Sequence, residues 1–234
     1  WNYNKNKTSY ENWIHYRFGI MKNGSEDVRK NEDRFEFNTK LGQKAFKHWY
    51  YTAQFNILTQ LFNTYQYPQN SDKQLIANLL SPGYITLSLG MDYKPSSKFS
   101  LVLSPIAGKW NYVRDTIKIS ASRYGIEAGK KIKREAGAQL TLISKMNNLF
   151  KIMSINNDLN LFMSYEKKDK YLNLGKENEE KKHLPITARW KMTITFNINY
   201  FMNASIYTET VYDENYSRKL QFKETLNLGV KFRF

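Results

Sequence analysis

The sequence predicts an all-β chain folded as a transmembrane up-and-down antiparallel β-barrel. Three observations lead there: apolar residues recur with period two, the alternating runs are long, and short connections alternate with long ones along the 234 residues. Period two places successive side chains on opposite faces of a strand, whereas a helix would repeat every 3.6 residues. Runs of about 10 to 15 residues exceed the five or six typical of soluble sheets and match the 9 to 11 that a tilted strand needs to cross a bilayer. Short turns on one side and long loops on the other are the signature of an outer-membrane barrel.

The elements follow in order. Ile14, Tyr16, Phe18 and Ile20 alternate with His15, Arg17 and Gly19; Phe35, Phe37, Thr39 and Leu41 alternate with Glu36, Asn38, Lys40 and Gly42. Trp49 to Leu61 and Ile85 to Tyr93 repeat the pattern, followed by a shorter run, Phe99, Leu101 and Leu103. Ala136 to Leu142, Met153 to Tyr165, Ile186 to Ile198, Met202 to Tyr212 and Phe222 to Phe234 complete ten strands, with Thr208 and Thr210 diluting the apolar face of the ninth. Tight connections are expected near 44–47, 94–98, 145–149 and 199–201, and long ones over 22–33, 63–83, 111–134 and 166–184, with 213–219 intermediate. Counting directions back from the C-terminus makes Trp1-Asn2-Tyr3 the tail of an earlier strand. Single-chain bacterial barrels have even strand numbers, so twelve strands are expected in a full chain, with an N-terminal strand or strands and a targeting segment preceding this sequence; the alternative is a ten-stranded barrel with a short periplasmic stub. The chain reads as one domain over residues 1–234.

Composition removes several function classes. The chain has no cysteine and three histidines, with 36 Lys and Arg against 21 Asp and Glu, a net charge of +15. Disulfide scaffolds, thiolate metal sites and Cys nucleophiles are excluded. No run of 18 apolar residues exists, so no transmembrane helix is expected. His15, His48 and His183 share no strand end with a Ser and a carboxylate, and no phosphate loop or metal-spaced cluster occurs, so no enzyme, cofactor or metal is expected. The positive charge is spread over turns, loops and strand faces, which argues against a nucleic-acid groove.

Aromatics gather at strand ends: Trp49, Tyr51, Tyr93, Phe99, Phe150, Tyr200, Phe201 and Phe234 near the short turns, and Phe62, Tyr84, Trp110, Tyr165 and Phe222 near the long loops. Two interfacial girdles would account for this, and so would the ordinary strand preference of aromatic rings. Lys5, Lys7, Lys44, Lys47, Lys94, Lys98, Lys145 and Lys151 flank the short turns. They suit either anionic headgroups or solvated, aggregation-blocking turns. Arg17, Glu36, Lys40, Asp92, Asp158, Arg189, Lys191 and Glu209 fall on the polar face. In a narrow barrel their mixed signs suggest an ion-pair network filling the interior; the alternative is a narrow passive channel. Lys130, Lys131, Lys133 and Arg134 belong to the third long loop, which could meet lipopolysaccharide phosphates or simply be solvated. Leu75, Ile76, Leu79 and Leu80 follow i, i+1, i+4, i+5 spacing, one face of a short helix that would either plug the barrel mouth or dock another protein.

The run from Leu79 through Ser81-Pro82-Gly83 to Pro95, then Phe99-Ser100-Leu101 and Leu103 to Lys109, with Tyr67-Pro68 before it and Leu220 to Glu224 after it, resembles a Bacteroidota outer-membrane β-barrel family known only as a domain of unknown function. Ala128, where that family would have proline, and the charged stretch Glu166 to His183 depart from it. The resemblance implies a bacterial outer-membrane location and no established activity. Short turns are then expected in the periplasm and long loops outside, with membrane lipid, lipopolysaccharide and other outer-membrane proteins as partners. The functional expectation is a small, non-enzymatic barrel with a structural or accessory role in a larger outer-membrane assembly, the narrow channel being the alternative.

Overall fold

A computed structural model describes residues 2–5, 7–24, 27–68, 72–127, 129–166, 184–214 and 217–230. The expectations placed on Phe234, on Ala128 and on Glu166 to His183 beyond residue 166 lie outside these.

Among the described residues the chain is all-β apart from one short 3-10 turn. Its strands are β1 (Asn2–Lys5), β2 (Thr8–Met21), β3 (Arg29–Phe46), β4 (Trp49–Thr59), β5 (Thr64–Gln66), β6 (Gln74–Ala77) and β7 (Gly83–Ser96), then β8 (Phe99–Tyr112), β9 (Ile132–Leu149), β10 (Met153–Ser164), β11 (Ile186–Asn197), β12 (Met202–Asp213) and β13 (Ser217–Val230). The 3-10 turn, Ala121–Tyr124, lies between β8 and β9. Eleven strands form one sheet in the order β1-β2-β3-β4-β7-β8-β9-β10-β11-β12-β13, and β5 and β6 form a separate pair. The ten long strands of that sheet are the ten read from the sequence, each hydrogen-bonded to its neighbours in the chain. β1 and β13 stand at the two ends of the order.

Short connections leave two residues between β3 and β4 and between β7 and β8, and few between β9 and β10 and between β11 and β12. Several boundaries differ from expectation: β9 runs on to Leu149, so the turn expected at 145–149 falls at 150–152, and β13 begins at Ser217 rather than Phe222. β3 begins at Arg29, so much of the first long loop is strand. Arg29 to Arg34 lacks an apolar face, and there the strand is held by charge pairing instead: Arg17 Nε lies 3.1 Å from Glu32 Oε1 and Lys30 Nζ 2.7 Å from Asp33 Oδ2. β8 runs on through Pro105 to Tyr112. Its burial alternates as far as Ser104, then Pro105 and Ile106 are both exposed before Ala107 is buried again. A proline lacks the N–H that a regular ladder needs, and the phase of the alternation slips by one there. The second long loop contains the β5–β6 hairpin rather than a helix.

The chain divides into two compact units. The first comprises Trp1–Gln43, Thr52–Leu89 and Ala107–Ala136; the second comprises Lys44–Tyr51, Gly90–Ile106 and Gly137–Phe234. The first thus holds β1, β2, the long loops after β4 and β8, and the loop-side parts of the strands between them. The second holds β10 to β13 and all four short turns.

Burial in both units is inverted relative to a water-soluble sheet. The polar face is covered: Lys40, Ser88, Asp92, Ser104, Glu135, Thr141, Ser164 and Glu209 are all buried. The apolar face is open: Ile14 is 63% exposed, Ile106 67%, Leu226 70% and Leu228 72%. The small apolar core among the described residues lies off the sheet, in the loop after β8, where Val113, Ile119, Ala121 and Ile126 pack together.

Candidate functional site: a buried polar face and a loop cap

In the second unit the polar face carries a ladder of alternating charge, buried at Glu209 and exposed at Lys223. Asp158 on β10 stands directly opposite Lys191 on β11, Lys191 opposite Glu209 on β12, and Glu209 opposite Lys223 on β13. Directly opposed residues on one face bring their side chains together, and opposite charges there stabilise the pairing. Lys191 Nζ lies 3.8 Å from Asp158 Oδ2, and Arg189 Nε 3.5 Å from Glu209 Oε1. Neutral donors complete the shell: Tyr207 donates to Glu209 Oε2 at 2.9 Å, Asn160 Nδ2 to Asp158 Oδ1 at 2.7 Å, and Thr141 to Asn160 Oδ1 at 3.0 Å. Asp92, 1% exposed, accepts from Ser100 Oγ at 2.7 Å and pairs with Lys94 Nζ at 3.4 Å.

The first unit repeats the arrangement. Lys40, 2% exposed, reaches Glu11 Oε2 at 3.3 Å, and the two are opposed in register on β3 and β2. Arg34 Nη2 lies 3.3 Å from Glu36 Oε2. Every residue expected in the network, Arg17, Glu36, Lys40, Asp92, Asp158, Arg189, Lys191 and Glu209, is therefore ion-paired, and the pairs Lys191–Asp158 and Arg189–Glu209 join members of that set. Glu11, Glu32, Arg34 and Lys94 are the partners sequence reasoning missed, and it missed Glu135, the partner of Lys133, as well. Glu11 and Glu135 share the parity of the polar positions on their strands, and that parity is the signal that could have found them. Lys94, expected among the lysines that flank the short turns, pairs with Asp92 and lies 5.6 Å over the Tyr50 ring.

The long loops after β4 and β8 form a cap within the first unit. Leu75 and Tyr124 pack against the core of Val113, Ile119, Ala121 and Ile126. Tyr124 donates its hydroxyl hydrogen to the Ile76 carbonyl at 2.6 Å, and both terminal nitrogens of Arg123 donate to Gln66 Oε1 at 3.1 Å. Ser81, fully buried, is the hub: its Oγ accepts the Asp115 N–H at 3.0 Å, while the Arg114 N–H reaches the Leu80 carbonyl at 3.1 Å. Thr59 Oγ1 accepts the Leu80 N–H at 3.0 Å and donates to the Pro82 carbonyl at 3.0 Å, tying the segment to β4.

This corrects the expected helix. Leu75 and Ile76 lie on β6, where consecutive side chains point to opposite sides, and Leu79 and Leu80 lie in the turn that follows, Leu80 with a φ of 58°. Four apolar residues in so short a run fit a helix face and a strand equally well, and the pairing with β5 decides for the strand. Leu75 packs against the loop core.

The basic loop separates likewise. Lys130 and Lys131 are exposed in the loop, but Lys133 and Arg134 belong to β9. Lys133 pairs with the buried Glu135 at 3.2 Å, while Arg134 is exposed on the opposite face. Lys130 lies 2.7 Å from Glu127, and that hydrogen bond holds the Glu127 carboxyl below its ordinary pKa.

Aromatic rings meet at the short-turn end of the second unit: Trp49 and Tyr93 have ring centroids 5.0 Å apart, Phe46 and Trp49 6.3 Å, and Tyr93 and Phe99 6.4 Å. His15 lies on β2 opposite Glu36, His48 sits in the turn after β3, and His183 falls outside the described residues. Among the described residues no group of three or more His, Cys, Asp or Glu could hold a metal ion.

A family model described as a protein of unknown function (DUF3078) matches residues 1–65, reaching from the start of the chain through β4 into β5. The matched stretch contains Glu11, Arg17, Glu36 and Lys40 but not residues 79–109, on which the resemblance to an outer-membrane family rests. No curated protein and no solved structure matches the chain.

Proposed function

We propose that the chain is the wall of an integral β-barrel of a bacterial outer membrane, with a polar, ion-paired interior, a loop cap at the extracellular end and short turns in the periplasm. Its role on this reading is structural, without catalysis. The observation that carries it is the inverted burial. Leaving a large apolar side chain in water forgoes roughly 1.5–3 kcal/mol of transfer free energy each. Ile14, Phe18, Ile20, Leu41, Leu87, Leu89, Leu103, Ile106, Trp190, Phe222, Leu226 and Leu228 are each between 41% and 72% exposed, so roughly half of that is forgone at each, and the sum is on the order of the 5–15 kcal/mol of a typical fold. Hydrocarbon removes the penalty, and a continuous antiparallel ladder satisfies the backbone there.

Refolding into detergent micelles and phosphatidylcholine vesicles tests the proposal. The expected result is a species whose gel mobility changes on boiling and whose strands resist protease only when lipid or detergent is present. A folded, protease-resistant monomer in plain buffer would overturn it.

A narrow channel is the second reading. Planar-bilayer recording separates the two: steady ohmic conductance supports the channel, and a silent bilayer supports the filled interior. An accessory place in a larger assembly is part of the proposal, and recovery of defined partners from native membranes in mild detergent is its test.

A further inference from the structure

We infer that the short-turn edge of the second unit is built to sit in a layer of anionic phospholipid headgroups; this rests on the membrane-barrel reading and adds the lipid class that one rim takes. The four turns are tied into one edge by backbone hydrogen bonds: the Lys94 N–H to the His48 carbonyl at 2.8 Å, Lys145 N–H to Lys98 carbonyl at 2.8 Å, and Asn197 N–H to Ile152 carbonyl at 2.7 Å. Along this edge Lys44, Lys47, Lys98, Lys145 and Lys151 are all exposed. Residues 44–48, 95–98, 145–152 and 198–201 contain no Asp or Glu. The edge therefore presents uncompensated positive charge to whatever lies beyond it, in contrast to the paired charges of the buried face.

Apolar groups project from the same turns. Phe150 is 85% exposed, Tyr200 67%, Phe201 58%, Ile198 57% and Ile152 53%. These side chains lie at or beyond the strand ends, past the stretch that hydrocarbon would cover. Phe150 is the most informative. It and Lys151 occupy the turn after β9 with φ angles of 51° and 66°. A turn with two consecutive left-handed residues ordinarily takes Asn-Gly, because a side chain beyond Cβ is disfavoured there. A phenylalanine in that place is strained in its backbone and unfavourable in water. Strain kept at an exposed position points to a contact made outside the chain. Headgroup depth suits both halves of the pattern, since aromatic rings partition to the interface and lysine ammoniums meet lipid phosphates. A solvated turn would need neither Phe150 nor the absence of carboxylates.

The test compares insertion of the full chain into vesicles of phosphatidylcholine alone and of phosphatidylcholine with one third phosphatidylglycerol, read by the boiled-versus-unboiled gel shift over time. The inference predicts faster insertion with phosphatidylglycerol, with a difference that collapses in high salt. Lys47→Gln, Lys98→Gln and Lys151→Gln together should reduce the advantage by about fivefold per lysine. The matched set Lys118→Gln, Lys130→Gln and Lys131→Gln, which removes equal charge from the loop end, should leave most of it. Phe150→Gly should fold in detergent as well as or better than the parent yet insert more slowly. Equal insertion into both vesicles, or equal losses from the two lysine sets, overturns the headgroup inference while the barrel stands. If no heat-modifiable species forms in any vesicle or in detergent, the barrel reading falls and takes this one with it.

Discussion

Asp33 sits on the loop side of β3, beyond the ten or so residues nearest the following turn that a bilayer would cover. Burial pushes its carboxyl pKa up, but hydrogen bonds from Lys30 Nζ at 2.7 Å and from the Phe62 and Leu61 amides at 2.8 and 3.1 Å outweigh it and hold the pKa below the ordinary value. A lowered folded-state pKa means that the carboxylate stabilises fully above the unfolded value of about 3.9, and that the contribution is lost as pH falls through the folded value. Hydrogen exchange should therefore show protected Leu61 and Phe62 amides at neutral pH, with protection falling in acid, and Asp33→Ala should abolish it at all pH. Unchanged protection in that variant would show that the turn is held by something else. Glu209 is 6% exposed and held by Arg189 and Tyr207. Removing one partner of a buried ion pair leaves the other charge uncompensated and costs about 3–5 kcal/mol. Glu209→Ala should lower the urea midpoint of the refolded protein accordingly, and Glu209→Gln, which keeps an acceptor for Tyr207, should lose less.

At the scale of elements, the closeness of β9 to β10 depends on a residue without a side chain. A Cβ at Gly137 would collide with the backbone carbonyl of Met163 on β10. Gly137→Ala should cost about 1–3 kcal/mol by overpacking, read as a lower urea midpoint with the heat-modifiable form retained. A midpoint equal to that of the parent would mean that the strands can separate without penalty. Elements with an apolar face were legible in the sequence, because period two is set by backbone geometry and needs no tertiary information. Elements without such a face were not. Arg29 to Arg34 is strand by virtue of ion pairs, β8 carries on past Pro105 by slipping one residue, and β6 is a strand because β5 is beside it. The network residues were readable by parity, but their partners depend on register: that Lys40 meets Glu11 follows from a pairing of β2 with β3 that no single strand encodes. Ser81 illustrates the remaining gap, since one hydroxyl joins two loops that are distant in sequence.

At the scale of the whole chain, the net charge of +15 divides into a paired part and an unpaired part. Among the described residues, ion pairs run along the buried face, while exposed lysines cluster in the short turns and in the loop after β8. Orientation is tested by single cysteines, for which the absence of native cysteine leaves a clean background. Ser122→Cys, exposed in that loop, should react with an impermeant thiol reagent on intact cells, and Ser97→Cys, exposed in a short turn, should react only after the outer membrane is opened. The reverse pattern would invert the proposed topology. One property of the sheet order reaches beyond the present sequence. Each long strand pairs with the long strands next to it in the chain, and β5 and β6 pair with each other outside the sheet. A hairpin could therefore be duplicated or deleted by a single genetic event with one new seam to heal, while every other ladder keeps its partners. Relatives of this protein would then be expected to differ by whole pairs of strands more readily than by rearranged ones, a lineage that grows and shrinks two strands at a time.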